Sequence, residues 1–302
     1  MPATPRLAIG AIVRNEGPYL LEWIAFHRVL GVERFFIADN GSTDGGGAIL
    51  AGLDALGLVR LLPFPDPPDR RPQLPAYAAI LRRHGGEADW IAFIDADEFL
   101  LPAPGPAQGA GTLAELLAPA FADPRAGAVA VNWALHGSAG RLAAGPEPVV
   151  ERFDRRAERE GLINHHFKSI VRTDAGPATA VNPHAFRLLA PYRTVHADGR
   201  EVRPHPRGTP GLSAEVVWEP LRLNHYAVKS REEFMTRKLP RGRATTPLPR
   251  DPGFFERHDR NEVAERPHPA LVAAARAEAR HLARRLGLPA PAAPEPAPAA
   301  SL

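Results

Sequence analysis

Hydrophobic residues in the first 100 positions form four short continuous runs, separated by segments that favour helices. Continuous rather than alternating apolar runs are typical of strands buried on both faces of a parallel sheet. The intervening segments carry an acid near the start or a Gly at the end, as helices often do. The predicted strands are LAIGAIV (7–13), RFFIA (34–38), LVRLLPF (58–64) and WIAFID (90–95), and the predicted helices are 18–30, 44–56 and 74–84.

The pattern after residue 100 is less regular, because Pro, Gly and Arg recur throughout residues 140–220. Low-complexity composition predicts disorder in the last 14 residues, PAPAAPEPAPAASL. The other predicted elements are a Pro/Gly loop (102–111), a helix (112–122), a strand (126–137), the strand candidates KSIVRT (168–173) and TAVNPHAF (179–186), a short helix (230–237) and a basic helix within 264–286.

This alternation predicts an α/β fold with a mostly parallel central sheet, helices on both faces, and a loop-rich second half. The predicted divisions are two halves of one domain, a C-terminal helix and a disordered tail: 1–138, 139–262, 263–288 and 289–302.

Composition narrows the class of protein. The chain has 302 residues, 44% hydrophobic and 24% charged, as is ordinary for a soluble globular protein. The absence of cysteine excludes disulfides, thiolate metal sites and cysteine nucleophiles. No apolar run approaches the roughly 20 residues that span a bilayer, and the N-terminus resembles no secretory signal. A cytoplasmic location is therefore expected.

The net charge of +3 suits an anionic ligand but is too diffuse to indicate nucleic acid. Only three of the 37 basic residues are lysines, at positions 168, 229 and 238. Arginine binds phosphate well, but codon bias in a GC-rich genome, which would also raise Ala, Pro and Gly, is the favoured explanation of the arginine excess. The twelve histidines show no compact ligand spacing, so a structural zinc site is not expected.

Polar, loop-forming residues follow three of the predicted strands, in VRNEG (13–17), ADNGSTDG (38–45) and IDADEF (94–99). Ligands of an open parallel sheet bind beyond the carboxyl ends of its strands. The three segments therefore predict one shared crevice.

The acids of IDADEF suggest a metal site. On an extended chain Asp95 and Asp97 would point to the same side, where their charges repel unless a cation lies between them. Carboxylates that share a cation with substrate phosphates are typical of Mg²⁺ or Mn²⁺ sites. The alternative is a surface turn with solvated acids.

The ADNGSTDG segment suggests contact with a nucleotide. Asp39 at a strand end could accept hydrogen bonds from a base or ribose, and the loop and following helix start favour an anion. For Asp44 we expect only a helix cap. The segment is not a dinucleotide-binding GxGxxG motif.

The ordered set AIVRNEGPYLLEWIAFH, DNGSTDG, DWIAFIDADEFL and LNHYAVKSREEFMTRK (223–238) resembles the family-two-like glycosyltransferases of GT-A fold. The resemblance is to a subgroup with VRNE, DNGS, DADEF and NHY segments, and it extends in patches to NWALHGSAG (132–140) and HHFKSIVR (165–172). It implies a Rossmann-like GT-A fold, with residues 1–138 binding a nucleotide-sugar and residues 139–262 binding the acceptor.

The resemblance also implies a UDP-sugar donor, bound with Mn²⁺ or Mg²⁺, and a glycan, lipid-linked or protein acceptor, as in polysaccharide biosynthesis. By position, Asp39 would contact the nucleobase, Asp95 would lie near the ribose and metal, and Asp97 would ligate the metal. The further implied roles are Arg14, Asn15 and Glu16 lining the nucleotide pocket, His225 as a metal ligand, and Lys168 and Lys229 contacting phosphate.

A general base for an inverting reaction is not evident, because no second acidic motif follows the Asp-x-Asp segment. Asp154, Asp198 and Glu219 are candidates by default. Inversion and retention both stay open.

Two alternatives fit parts of the pattern. A haloacid-dehalogenase-like phosphohydrolase also places Asp-x-Asp after an apolar strand, but normally after the first strand. A catalytically degenerate nucleotide- or carbohydrate-binding module would explain the missing base. The arginines of the C-terminal helix could rest on the inner face of a membrane, which adds peripheral membrane association to the expected partners. No oligomeric state is predicted.

Overall fold

The computed structural model describes residues 4–67, 71–103, 111–176, 178–242, 250–251 and 253–289. The tail predicted from residue 289 onward lies outside these ranges except for Pro289, as does most of the predicted loop 102–111. Within the described ranges, no helix combines the length and apolar character that a membrane crossing requires.

The strands of the described chain are short except for β1 and β6. They are β1 (Leu7–Val13), β2 (Arg34–Asp39), β3 (Val59–Pro63), β4 (Trp90–Phe93), β5 (Glu98–Pro102), β6 (Ala126–Leu135), β7 (Arg155–Arg156), β8 (Phe167–Arg172), β9 (Thr179–Ala180), β10 (Phe186–Arg187), β11 (Arg193–His196), β12 (Leu221–His225) and β13 (Val263–Ala264).

The described helices include two long ones that pack against each other, α1 and α10. They are α1 (Gly17–Val29), α2 (Gly46–Ala55), α3 (Gln73–His84), α4 (Leu113–Leu116), α5 (Ala118–Phe121), α6 (Val149–Arg152), α7 (Arg231–Glu233), α8 (Leu239–Arg241), α9 (Phe254–His258) and α10 (Pro269–Arg285), with 3₁₀ turns at Gly85–Glu87 and Leu162–His165 and a π-helical segment at Phe234–Lys238.

One mixed sheet forms the centre of the described structure, in the strand order β3-β2-β1-β4-β8-β6-β12-β5, with β11 also paired to β6. The strands β3, β2, β1 and β4 are mutually parallel, as are β6 with β11 and β12. The strand β8 runs antiparallel to β4 and β6, and β5 runs antiparallel to β12. The prediction of an α/β fold with a mostly parallel sheet is confirmed.

Helices cover both faces of the sheet, as predicted. In β1, Ile9 packs into the cluster that contains Trp23 of α1 and Leu282 of α10. The neighbouring Ala8 faces the opposite cluster, with Tyr77 of α3. Gly10 lies where a Cβ atom would stand 2.9 Å from the Phe93 ring, so the close approach of β1 and β4 requires glycine here.

Several predictions for the later chain are wrong in detail. The helix expected over 112–122 is two single-turn helices, with Leu117 ending the first. The strand expected over 179–186 is a hairpin of β9 and β10, because Asn182 accepts hydrogen bonds from the backbone N–H groups of His184 and Ala185 and so forms a turn. The basic helix predicted within 264–286 is confirmed, and it begins at Pro269 and ends at Arg285.

The predicted boundary at residue 138 remains a prediction. The central sheet takes β1 to β6 from before it and β8, β11 and β12 from after it. A shared sheet is the arrangement expected if both halves belong to one domain.

Candidate functional site

A cavity of about 330 Å³ lies at the carboxyl ends of β1, β2 and β4. We call it the strand-end cavity. All three predicted polar segments contribute to its lining, through Arg14 and Glu16, through Asn40, and through Asp95 and Asp97. Side chains from much later in the chain complete it: Trp133, His184, His225, Lys238, Arg241 and Arg250.

Asp95 and Asp97 lie in the turn between β4 and β5, and the extended conformation predicted for them is wrong. The strand β4 ends at Phe93, and the chain turns to pair as β5 with β12. The carboxylate of Asp95 accepts hydrogen bonds from Gln73 Nε2 at 3.0 Å and from Lys168 Nζ at 2.8 Å. Lys168 is 1% exposed, so this ion pair is screened little by water.

Asp97 is buried and faces two cationic or basic side chains. Lys238 Nζ donates to Oδ2, and His225 Nε2 lies 3.7 Å from Oδ1. Burial disfavours the charge of Asp97, but Lys238, His225 and Lys229 outweigh it and hold its pKa well below the ordinary value. Asp97 therefore stays ionised at neutral pH.

Glu98, the third acid of the turn, is completely buried. Its Oε2 accepts the backbone N–H of Asp95 at 2.8 Å, and its Oε1 accepts Trp133 Nε1–H at 2.8 Å. Lys168 Nζ lies 3.3 Å from Oε2, while burial raises the pKa of Glu98 to about 8. Glu98 thus connects the acidic turn to Trp133 of β6 and to Lys168 of β8.

Asp39 and Asn15 organise loops rather than lining the cavity. Asp39 Oδ1 accepts from the N–H and Oγ of Ser42, at 3.1 and 2.6 Å. Asn15, at φ 55°, accepts the N–H of Thr43 at 2.7 Å. Asn40, the residue after Asp39, is the one that reaches the cavity.

Glu16 forms an ion pair with Arg241 across the cavity mouth. Lys229 Nζ is 4.0 Å from the Glu16 carboxylate and 4.0 Å from the centre of the Tyr19 ring. Arg14 pairs at 3.3 Å with Asp66, which also lines the cavity. Asp44 accepts the N–H groups at the starts of α1 and α2, a capping role as expected.

All three lysines of the chain face acids of this site: Lys168 with Asp95 and Glu98, Lys229 with Glu16, and Lys238 with Asp97. In a chain that uses arginine almost everywhere else, each retained lysine was a signal in the sequence. The resemblance implies roles for Lys168 and Lys229 but none for Lys238. Sequence reasoning also missed Arg71, Gln73, Trp133, His184, Arg241 and Arg250, which line the cavity.

The three candidate bases do not line the strand-end cavity. Each is paired with an arginine: Asp154 with Arg266 at 2.8 Å, Asp198 with Arg200 at 2.6 Å, and Glu219 with Arg159 at 2.7 Å.

Asp97 and His225 fit a divalent cation. The 3.7 Å between His225 Nε2 and Asp97 is too long for a hydrogen bond, and His225 Nδ1 is buried without a partner. Neither ring nitrogen is therefore satisfied, and a cation at Nε2 would satisfy one of them. Asp95 fits less well, since Gln73 and Lys168 occupy its oxygens. Across the described ranges no group of three such ligands is present, so Mn²⁺ or Mg²⁺ would need ligands from phosphate and water.

The sequence is similar to a known glycosyltransferase family. The model of glycosyltransferase family 92 matches residues 13–141, less than half of the chain. A family 92 protein of Oryza sativa subsp. japonica is 30% identical over 194 residues, which are 63% of this chain and 31% of that protein. One of Ricinus communis is 29% identical over 195 residues, 64% of this chain and 33% of that protein. The chain thus spans about a third of the length of these relatives.

Solved structures match more weakly. Glucosyl-3-phosphoglycerate synthase from Mycobacterium tuberculosis, in complex with Mn²⁺ and UDP-glucose, has a TM-score of 0.29 at 19% identity, covering 43% of this chain and 44% of that one. S. aureus TarS 1–349 in complex with UDP has a TM-score of 0.34 at 15% identity, covering 56% and 47%. Scores this low carry no argument about ligands. The predicted glycosyltransferase class agrees with the family similarity, whereas the family-two-like subgroup is not confirmed.

Proposed function

We propose that this protein is a glycosyltransferase that moves a sugar from a nucleoside diphosphate sugar, with a UDP-sugar as the first candidate, to a hydroxyl group of a glycan, lipid-linked or protein acceptor. The observation that carries the proposal is the acidic turn at Asp95 and Asp97, which faces Lys238 and Arg241 across a cavity of about 330 Å³. A cavity of this size suits a small polar ligand. The family similarity over residues 13–141 supports the same class of activity.

The chemistry of sugar transfer explains the charges. When the bond between the sugar and the diphosphate breaks, negative charge accumulates on the leaving diphosphate. Lys238, Arg241, Arg71 and Arg250 line the cavity and would stabilise that charge. Asp97 and His225 would hold a bound Mn²⁺ or Mg²⁺, which would supply further positive charge to the same phosphates.

Every acid that lines the cavity is part of an ion pair, and this keeps the alternative of a degenerate binding module open. Glu16, Asp66, Asp95 and Asp97 line the cavity, and each is paired with a cation. A site without a free carboxylate base is also what a degenerate binding module would present. The phosphohydrolase alternative gains no comparable support, because Asp95, its nucleophile, is held by Gln73 and Lys168.

One assay separates the three functions. The protein is incubated with a panel of nucleotide sugars, with Mn²⁺, Mg²⁺ or EDTA, and nucleotide release is measured with and without acceptor sugars. We expect release that requires metal and acceptor. Binding without turnover would favour the module, and phosphate release from simple phosphomonoesters would favour the hydrolase. Cytoplasmic location and membrane association stay predictions.

A further inference from the structure

The strand-end cavity contains a second imidazole, His184, which has no role in the proposed contacts with the cation and the phosphates. His184 lines the cavity beside Trp133, in the turn of the β9–β10 hairpin. Its ring meets the Trp133 ring edge-on, with 5.1 Å between ring centres. His225, which faces Asp97, also contacts the Trp133 ring, with 4.3 Å between ring centres. His184 is therefore one aromatic ring away from the candidate cation ligands.

Hydrogen bonds fix both the position and the tautomer of His184. Its backbone N–H donates to Asn182 Oδ1 at 2.8 Å, and its carbonyl accepts Ser169 Oγ–H at 2.7 Å. Its ring Nδ1 lies 3.0 Å from the carbonyl oxygen of Phe167. A carbonyl oxygen only accepts, so Nδ1 carries the hydrogen and Nε2 keeps its lone pair.

The backbone of Gly211 packs closely against the side chain of His184. Gly211 has φ 89°, and a Cβ atom there would stand 2.4 Å from the Cβ of His184. Nε2 has no hydrogen-bond partner in the described structure, and it is not among the buried unpartnered atoms. Nε2 is therefore not fully buried, on a side chain that lines the cavity.

The other ionisable acceptors of the cavity are paired with cations or assigned to the candidate cation. The carboxylates of Glu16, Asp66, Asp95 and Asp97 are paired with cations. His225 also lacks a hydrogen bond, but its Nε2 faces Asp97 and is the candidate ligand of the cation. His184 is then the remaining ionisable acceptor without a hydrogen-bond partner among the described residues that line the cavity. This is the requirement for a general base that the acidic candidates did not meet.

We propose that His184 Nε2 accepts the proton of the acceptor hydroxyl during sugar transfer, which rests on the proposed function. The acceptor O–H bond breaks and its proton moves to Nε2, giving an imidazolium. The oxygen forms a bond to the anomeric carbon while the bond from that carbon to the diphosphate breaks. The diphosphate leaves with the electron pair, and the anomeric configuration is inverted.

The surroundings of His184 keep its imidazole neutral before substrate arrives. Burial, and then the charges of Lys168 and His166, lower its pKa to about 3. A bound diphosphate brings negative charge to the same cavity, which offsets the field of Lys168 and raises the proton affinity of Nε2. The base would thus strengthen when the donor is in place.

The test compares three variants: His184→Gln, His184→Ala, and His205→Ala as a matched control. His205 is half-buried, as His184 is, but it does not line the cavity and its ring contacts His165. Donor binding is measured by calorimetry and transfer by product formation. We expect both His184 variants to bind donor as wild type does and to lose transfer by about 10²–10⁴-fold. Added imidazole should restore part of the transfer by His184→Ala, and His205→Ala should stay within a few-fold of wild type.

Three outcomes would overturn the inference: near-wild-type transfer by His184→Gln, an equal loss in His205→Ala, or a product of retained anomeric configuration by NMR. His184→Gln carries the test if His184→Ala fails to fold. Failure of the proposed function has a different signature, because wild-type protein would then transfer no sugar from any donor of the panel.

Discussion

The strand-end cavity and the ion pairs around it have an acidic and a cationic side, which come from different parts of the chain; Glu98, Lys168 and Lys229 lie outside the cavity lining itself. The acidic side, Glu16, Asp95, Asp97 and Glu98, comes from residues before 100 and lies at regular strand ends. The cationic side, Lys168, Lys229, Lys238 and Arg241, comes from β8 and from the irregular segments after β12. Every acid of the first set lies within 4.0 Å of a cation of the second.

This pairing bears on the positive charge that a bound diphosphate would require. Each acid that lines the cavity is paired with a cation, so these charges largely offset one another, and a diphosphate needs positive charge beyond them. Arg71, which also lines the cavity, supplies part of it. A divalent cation at Asp97 and His225 would supply the rest. The predictions below break the balance from one side or the other.

Among the substitutions that alter this charge balance, Asp97→Asn should have the largest effect, because it removes the acid nearest to the candidate cation site. We expect nucleotide release from the preferred donor to fall by about 10²–10³-fold, the typical cost of losing one preorganised charge-stabilising group. Asp198→Asn, which alters an acid paired with Arg200 outside the cavity, is the control and should keep wild-type turnover. Equal losses in both variants would contradict the account.

Glu233 tests a second link between the two parts of the chain. It receives two hydrogen bonds from buried Arg152, both at 2.9 Å, and one from Tyr19 Oη of α1 at 2.8 Å. Burial opposes its charge, but the hydrogen bonds of Arg152 and Ser230 and the charge of Arg152 outweigh it and lower its pKa to about 2.

Because the pKa of Glu233 is lower in the folded state than in the unfolded state, its ionised carboxylate stabilises the fold. This stabilisation is complete above about pH 4.5 and is lost as pH falls towards 2. As the pH falls from about 4.5 towards 2, the free energy of unfolding should decrease by about 3 kcal/mol more in wild type than in Glu233→Gln, as measured by urea unfolding at several pH values. Glu232→Gln, at the exposed neighbour, should follow wild type. Parallel curves for wild type and Glu233→Gln would refute this link.

Lys238→Met should act in opposite directions on two ligands. UDP affinity without metal should fall by at least about tenfold, since a charge-assisted hydrogen bond is worth about 1.5–3 kcal/mol. Mn²⁺ affinity without nucleotide should rise, because Asp97 loses the ammonium that competes for it. Arg237→Met, one residue away, should change neither, and calorimetry measures both. Weaker binding of both ligands to Lys238→Met would argue against competition at Asp97.

The predictability of the two sides differs for a physical reason. The strands β1, β2 and β4 are buried on both faces, so their apolar runs locate them and place the polar residues at their ends. Lys238 ends a π-helical segment and His184 lies in a two-strand turn, and neither position follows from a hydrophobic period. Asp39 was placed at the correct strand end, but its side chain folds back onto Ser42. For the cationic side, the resemblance implied roles for Lys168 and Lys229, and the rarity of lysine was a further signal that also covers Lys238.

The most direct test of the proposed donor site is a crystal structure of the protein with UDP and Mn²⁺. The account predicts the diphosphate between Asp97 and His225 on one side and Lys238 and Arg241 on the other, with the metal on Asp97. Nucleotide bound elsewhere, such as in the separate cavity of about 570 Å³ between α1 and α10, would contradict it.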